Sequence, residues 1–260
     1  MTSFQEKYGP WALVTGASSG IGAEFAKQLA ERNLNLVLIA RRKERLEHLA
    51  GQLEKKHNVQ VKTIIADLSR PDFMSLLYPA TQTREIGLLV NNAGFGIGGS
   101  FLAHDLQREL ALLDLNCRAA LILTHEFGRK MTERKRGGII FVSSVSAYIA
   151  TPFEASYAAS KVYELFLGES LWYELKQQGV DVLSLCPGST KTEFHEISGT
   201  REFAAMAVEP VVTLALKNLG KKQSVIPGWH NRLLVSLIKI VPRRVVTMLA
   251  GKTMDNLRRP

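Results

Sequence analysis

Short apolar runs alternate with amphipathic stretches along the chain. The runs at 11–14, 34–40, 59–66, 86–90, 138–142, 180–185 and 224–226 predict strands. The stretches between them, at 24–32, 43–57, 72–84, 105–135, 155–178 and 209–219, have helical character. Repeated strand-helix units of this size predict an α/β fold: a doubly wound parallel sheet flanked by helices, with a ligand crevice at the carboxyl ends of the strands. Residues 193–208 break the pattern, since they mix polarities, contain Gly199 and two phenylalanines, and show no clean period. A segment of this kind, just after a strand that ends at the crevice, is expected to be a mobile substrate lid covering about 190–210. We therefore read 1–228 as one catalytic domain and 229–260 as an extension.

The first strand runs into Thr15-Gly16-Ala17-Ser18-Ser19-Gly20-Ile21-Gly22 and then a helix. A strand, a glycine turn and a helix set an anionic pyrophosphate on a helix N-terminus, where free N–H groups and the macrodipole both favour it. The spacing Gly-x-x-x-Gly-x-Gly differs from the Gly-x-Gly-x-x-Gly fingerprint, so on its own it only inclines toward a dinucleotide. The second strand adds support by ending in Ala40-Arg41-Arg42, where an NAD site would carry an acid for the ribose 2′-hydroxyl. A guanidinium there can clamp a 2′-phosphate that a carboxylate would repel. NADP(H) is expected in preference to NAD(H), with Arg41 as the clamp, while Arg42 reads at least as well as a solvated helix start. The third strand closes on Asp67-Leu68, where a carboxylate can accept from an adenine amino group.

Tyr157 and Lys161 are four apart, so on a helix they leave one face a turn from each other. A free phenol has a pKa of about 10, and a neighbouring ammonium lowers it, which makes Tyr157 a candidate general acid/base. Ser144 ends the strand at 138–142 and can face the same cleft. Asn116 sits inside the helical stretch 105–135 among Leu112, Leu113, Leu115 and Cys117; buried there, it could hold an ordered water. After the strand at 180–185, Cys186-Pro187-Gly188-Ser189-Thr190-Lys191-Thr192 turns the chain and offers backbone groups and hydroxyls to a nicotinamide carboxamide and to phosphates. Taken singly these signals are ordinary: Tyr-x-x-x-Lys recurs on helix surfaces, and Ser-Ser after a strand is commonly a turn or N-cap.

The composition fits such an enzyme: 260 residues and 46% hydrophobic content are enough for one large α/β domain. Two cysteines, Cys117 and Cys186, lie in apolar stretches, and the six histidines show no ligand spacing, so no metal site is expected and a cytoplasmic, reducing location is. The net charge of +9 is concentrated after Gly220, where nine Lys/Arg face one acid, Asp255. Nucleic acid is not an expected partner, because the body is nearly neutral and the tail lacks a recognition-helix pattern. The tail instead aligns Leu233, Leu234, Leu237, Ile238 and Val241, and then Val245, Val246, Met248 and Leu249, among basic residues. It reads as a helical pair packed on the body, or as an amphipathic segment making peripheral contact with anionic lipid.

Together, Thr15-Gly16 through Gly22, Asn91-Asn92-Ala93-Gly94, Asn116, Ser144, Tyr157-x-x-x-Lys161 and Pro187-Gly188 give the chain a close resemblance to the single-domain branch of the short-chain dehydrogenases/reductases, over about 11–228. The resemblance implies a Rossmann fold of about seven strands. It also implies hydride exchange between NAD(P)(H) and a small-molecule carbonyl or secondary alcohol, and homodimers or homotetramers built from the two long helices. In that family's terms Tyr157 donates the proton, Ser144 steadies the carbonyl oxygen, Lys161 holds the nicotinamide ribose, and Asn116 positions a relay water. Ser18, Ser19, Gly20, Ile21, Asp67, Leu68, Asn92, Pro187, Gly188, Thr190 and Thr192 join the glycines and Arg41 as cofactor contacts. A softer likeness to steroid and long-chain 3-ketoacyl reductases makes an apolar ketone the expected substrate. A catalytically silent NADP-binding sensor on the same fold is the alternative.

Overall fold

The apolar runs form seven strands: β1 (Trp11–Thr15), β2 (Asn35–Ala40), β3 (Val61–Ile65), β4 (Ile86–Asn91), β5 (Gly137–Val142), β6 (Val180–Leu185) and β7 (Ser224–Val225). They form one parallel sheet in the order β3-β2-β1-β4-β5-β6-β7. The chain winds outward from β1 to β3, then returns to place β4 on the other side of β1. That reversal parts the loops above β1 and β4 and opens the crevice there. The computed structural model describes residues 3–199 and 205–258, so residues 200–204 of the expected lid lie outside the described residues.

Eleven helices are present among the described residues: α1 (Phe4–Tyr8), α2 (Gly20–Ala30), α3 (Lys43–His57), α4 (Phe73–Thr81), α5 (Leu106–Leu113), α6 (Ala120–Glu133), α7 (Ala155–Lys176), α8 (Phe194–Ser198), α9 (Val208–Asn218), α10 (Trp229–Ile238) and α11 (Arg243–Arg258). They cover both sheet faces. Phe25, Leu29, Leu46 and Val212 from α2, α3 and α9 fill one core, and Phe73, Leu77, Phe127 and Met131 from α4 and α6 fill the other. β4 and β5 are buried at every residue, which is why their sequences run apolar without alternation.

Three differences from the sequence reading have local causes. The polar start contains α1, closed by a capping box between Ser3 and Glu6 and tied down where Tyr8 donates to Asp181 (2.7 Å). Helix α2 begins at Gly20, inside the glycine turn, where no side-chain pattern marks it. The stretch 105–135 is two helices joined by a π-helical turn at Asp114–Ala119. Asn116, in that turn, is fully buried and bonds sideways out of the helix, the kind of local demand that widens a turn. Beyond β6, a bridge between Thr190 and Met206 closes the base of the segment that carries α8. Helix α10 docks by Val235 and by Asn231, whose amide donates to Pro227 O (2.8 Å), and α11 passes Pro152 at Gly251.

Candidate active site

The carboxyl ends of β1 and β4 are laced together by two side chains. Thr15 Oγ1 donates to Val90 O (3.2 Å) and accepts from the N–H groups of Asn92 and Ala93 (2.9 Å each), while Asn92 Nδ2 donates to Thr15 O (2.8 Å). Gly16 has φ +66°, and a Cβ there would lie 2.8 Å from Asn92 Nδ2 and 2.9 Å from Ala93 Cα, so only glycine lets the strand ends meet. Gly20 opens α2 toward the crevice, where a Cβ would lie 2.9 Å from Thr192 Cγ2. Ser19 and Ile21 line the crevice, and Gly22 packs inside the turn against Gly16 O and Asn92. The bare backbone and the α2 N-terminus make a cradle that fits a pyrophosphate.

Arg41, the expected clamp, is exposed. It is Arg42 that turns back onto the cradle, donating to Ser19 Oγ (2.6 Å) and Ser18 Oγ (3.2 and 3.3 Å) and pairing with Glu193 (2.5 Å). Glu193 also pairs with Arg45, and the two guanidiniums hold its carboxyl below the usual range. The helix start that Arg42 occupies aims it at the turn, a three-dimensional fact that spacing alone does not give. Asp67 caps its own loop by accepting from Ser69 N (3.0 Å) and Ser69 Oγ (2.7 Å), and the Leu68 side chain is in the core, which leaves its backbone to meet a ligand.

At the other end, Ser144, Tyr157 and Lys161 come together. Ser144 follows β5 by two residues and caps a 3-10 turn (Val145–Tyr148), its Oγ accepting from Ser146 N (3.1 Å). Tyr157, in the first turn of α7, is buried, hydrogen-bonded to Ser144, and covered by Phe194 with ring centroids 5.2 Å apart. Lys161 Nζ lies 5.7 Å from the Tyr157 ring centroid and donates to Val142 O (2.9 Å) and Glu164 Oε2 (2.8 Å). Asn116 donates to Phe95 O (3.0 Å) and Ser160 Oγ (2.9 Å) and accepts from Phe95 N (3.1 Å). Both its amide hydrogens are used by the protein, which leaves Oδ1 one further acceptor position for a water.

The expected lowering of the Tyr157 pKa needs correction. Burial raises it most and the net direction is upward; the Lys161 ammonium and the Ser144 hydrogen bond pull it down, while Glu154 and Glu164 push it up. Lys161 stays cationic: burial lowers its pKa, but Glu164, chiefly by charge, carries the net shift upward.

Sequence reasoning missed Glu154, Glu164 and Phe194, and did not foresee that Arg42 bonds the Ser18 and Ser19 hydroxyls. Glu154 lines the crevice three residues before Tyr157, and burial raises its pKa to about 7. Glu164 had a signal, because Tyr157, Lys161 and Glu164 fall at i, i+4 and i+7, one face of a helix. The thiols are inert, with burial pushing Cys117 up to about 11 and Cys186 up to about 12. Among the described residues, no group of three or more His, Cys, Asp or Glu could hold a metal ion, and no helix is long and apolar enough to cross a membrane.

The profile of the short chain dehydrogenase family matches residues 10–202. The chain belongs to that family. This short-chain dehydrogenase is 32% identical over 259 residues to the 7beta-hydroxysteroid dehydrogenase of Clostridium sardiniense, covering 98% of this chain and 99% of that one. It is 35% identical over 185 residues to the inactive hydroxysteroid dehydrogenase-like protein 1 of Homo sapiens, covering 70% of this chain and 56% of that one. It superposes with a TM-score of 0.80 on a short-chain dehydrogenase from Sphingobium yanoikuyae in complex with NADPH, at 31% identity over 90% of this chain and 96% of that one. As a short-chain dehydrogenase it is an oxidoreductase acting on CH–OH and C=O groups.

Proposed function

We propose that this enzyme interconverts a bulky apolar ketone, of hydroxysteroid type, with its secondary alcohol, using NADP(H) in preference to NAD(H). The observation that carries the reading is the meeting of Tyr157, Ser144 and Lys161 at the crevice that begins at the glycine cradle. When bound, the nucleotide supplies the hydride. Tyr157 gives its proton to the carbonyl oxygen, Ser144 hydrogen-bonds that oxygen as charge develops, and Lys161 uses its remaining N–H on the nucleotide ribose. Asn116 holds the Phe95 backbone and Ser160 in place beside them and takes the relay water at Oδ1. Gly16, Gly20 and Asn92 would hold the pyrophosphate side of the nucleotide, and Thr190, Thr192, Pro187 and Gly188, which line the other part of the crevice, would hold its nicotinamide side.

Arg42, backed by the Ser18 and Ser19 hydroxyls, is the seat for a 2′-phosphate, and a relative in complex with NADPH supports the choice of nucleotide. Phe194, packed on Tyr157, lines the crevice and suits an apolar substrate, as does the 7beta-hydroxysteroid dehydrogenase relative. The test is loss of nicotinamide absorbance with 7-ketosteroids, other bulky ketones and acyl thioesters, with NADPH and NADH in parallel. Turnover with NADPH supports the reading. The inactive human relative favours a second one, an NADP sensor, for which NADPH would raise the melting temperature with no turnover of any ketone.

Two partners belong to the same reading. Leu106, Leu110 and Leu113 on α5 and Phe166 and Tyr173 on α7 are exposed, and a second copy of the chain would cover them in a dimer. On α10, α11 and the link between them, Trp229, Leu237, Ile240 and Met248 are exposed beside Arg232, Lys239, Arg243 and Arg244, which suits a cytoplasmic protein touching an anionic membrane surface. Vesicle flotation should show salt-sensitive binding to anionic lipid; equal binding to neutral lipid contradicts it.

A further inference from the structure

We propose that Glu164 is a positioning residue for the reaction: its carboxylate fixes the Lys161 ammonium from behind and, as that ammonium's counter-charge, sets the pH at which Tyr157 gives up its proton. This rests on the reading of Tyr157 as the acid/base.

The geometry is a stack along one face of α7. Tyr157, Lys161 and Glu164 are successive members of the stripe, and Lys161 and Glu164 are 4% and 2% exposed. An ammonium has three N–H donors; one goes to Glu164 Oε2 at 2.8 Å and one to Val142 O at 2.9 Å. Two acceptors on different elements, one a helix side chain and the other a strand carbonyl, stop a four-carbon side chain from swinging. The third donor is left for the crevice, where a Cβ on Gly94 would lie only 3.4 Å from Nζ.

The charge matters as much as the hold. An isolated ammonium acts on the Tyr157 phenolate as a full positive charge, but an ammonium with a carboxylate behind it acts as a dipole whose attraction is weaker. The titratable groups facing Glu164 are Lys161 and Tyr157 from α7, Cys117 from the π-helical turn and Cys186 beyond β6. Both thiols are neutral near pH 7, so Glu164 is the negative charge that offsets Lys161. Burial raises its own pKa to about 7, against the pull of Lys161. Above that pH the pair is a neutral dipole, and below it Lys161 stands as a lone cation.

The experiment is carbon-13 NMR of the full chain with ζ-labelled tyrosine, the Tyr157 signal being assigned by its loss in Tyr157→Phe. In Glu164→Gln, which keeps an acceptor for Lys161 and removes the charge, half-ionisation of Tyr157 should fall by about one pH unit or more relative to wild type. Glu164→Asp, which keeps the charge, should return it toward the wild-type value. Should the glutamine variant not fold, Glu164→Met is the second neutral variant and must shift Tyr157 in the same direction. Equal midpoints in wild type and a folded neutral variant overturn the proposal. The readout needs no turnover, so it is separable from failure of the oxidoreductase reading. In that reading, the pH profile of kcat for oxidation of a 7β-hydroxysteroid moves to lower pH by the same amount.

Discussion

The two ends of the crevice each hold a cation against a carboxylate, and they use it in opposite ways. At the nucleotide end, the Arg42 and Glu193 side chains are 39% and 34% exposed, within reach of water and of an incoming anion. Pairs of that kind contribute about 0–1 kcal/mol, so an incoming phosphate can take the place of Glu193 on Arg42. At the reaction end, the Lys161 and Glu164 side chains are 5% and 2% exposed. Removing one partner of a buried pair costs about 3–5 kcal/mol, and no ligand replaces it. In the proposed reaction the binding end would exchange partners and the chemical end would keep them, the division that a reaction needing fixed geometry calls for.

That contrast can be broken at several points. Tyr157→Phe should lower kcat by about 10²–10⁴-fold, the usual weight of a positioned acid/base, with the NADPH Kd nearly unchanged; parallel steady-state and fluorescence titrations check it. Arg42→Ala should weaken NADPH by about 10–100-fold, the loss of charge-assisted hydrogen bonds, and leave NADH nearly alone. Equal losses for both nucleotides would move the 2′-phosphate seat elsewhere. Glu154→Gln should flatten the pH dependence of KM for an apolar ketone. Below pH of about 7 the wild-type carboxyl is neutral and suits the substrate; above it the carboxylate forms and KM rises several-fold. The stability sign agrees. A carboxyl whose pKa rises from 4.5 to about 7 on folding contributes stability that is fully present at low pH and lost as the pH climbs through about 7, so melting temperatures should fall less steeply in Glu154→Gln. Glu193→Gln should have the smallest effect, tightening NADPH by about two- to fivefold by removing a surface competitor.

Much of this architecture is written in short-range patterns. The strands were legible because buried parallel strands are apolar throughout, and the crevice because its motifs stand where those strands end. Tyr157, Lys161 and Ser144 stood out as candidates by a four-residue helical spacing and a strand end, and as a set only through the family resemblance. The π-helical turn at Asn116 was not, since nothing in the apolar period of 105–135 shows that an amide bonds sideways to Phe95 and Ser160. Spacing alone does not tell Arg41 from Arg42; it is the start of α3 that turns Arg42 onto Ser18 and Ser19. Glu164 was passed over because its burial against Lys161 is a property of the packed fold. The net rise of the Tyr157 pKa escaped for the same reason, because burial is a property of the fold and outweighs the neighbour that the sequence reveals.

In the proposed reaction, hydride passes directly between the nucleotide and a carbonyl carbon at Tyr157. Reduction of a 7-ketosteroid with NADPH deuterated at one or the other C4 position tests it by mass spectrometry of the alcohol. One stereoisomer should place a single deuterium on the carbinol carbon and the other none, with the transfer lost in Tyr157→Phe. Deuterium appearing in the solvent, or alcohol formed without label from either stereoisomer, would contradict the account.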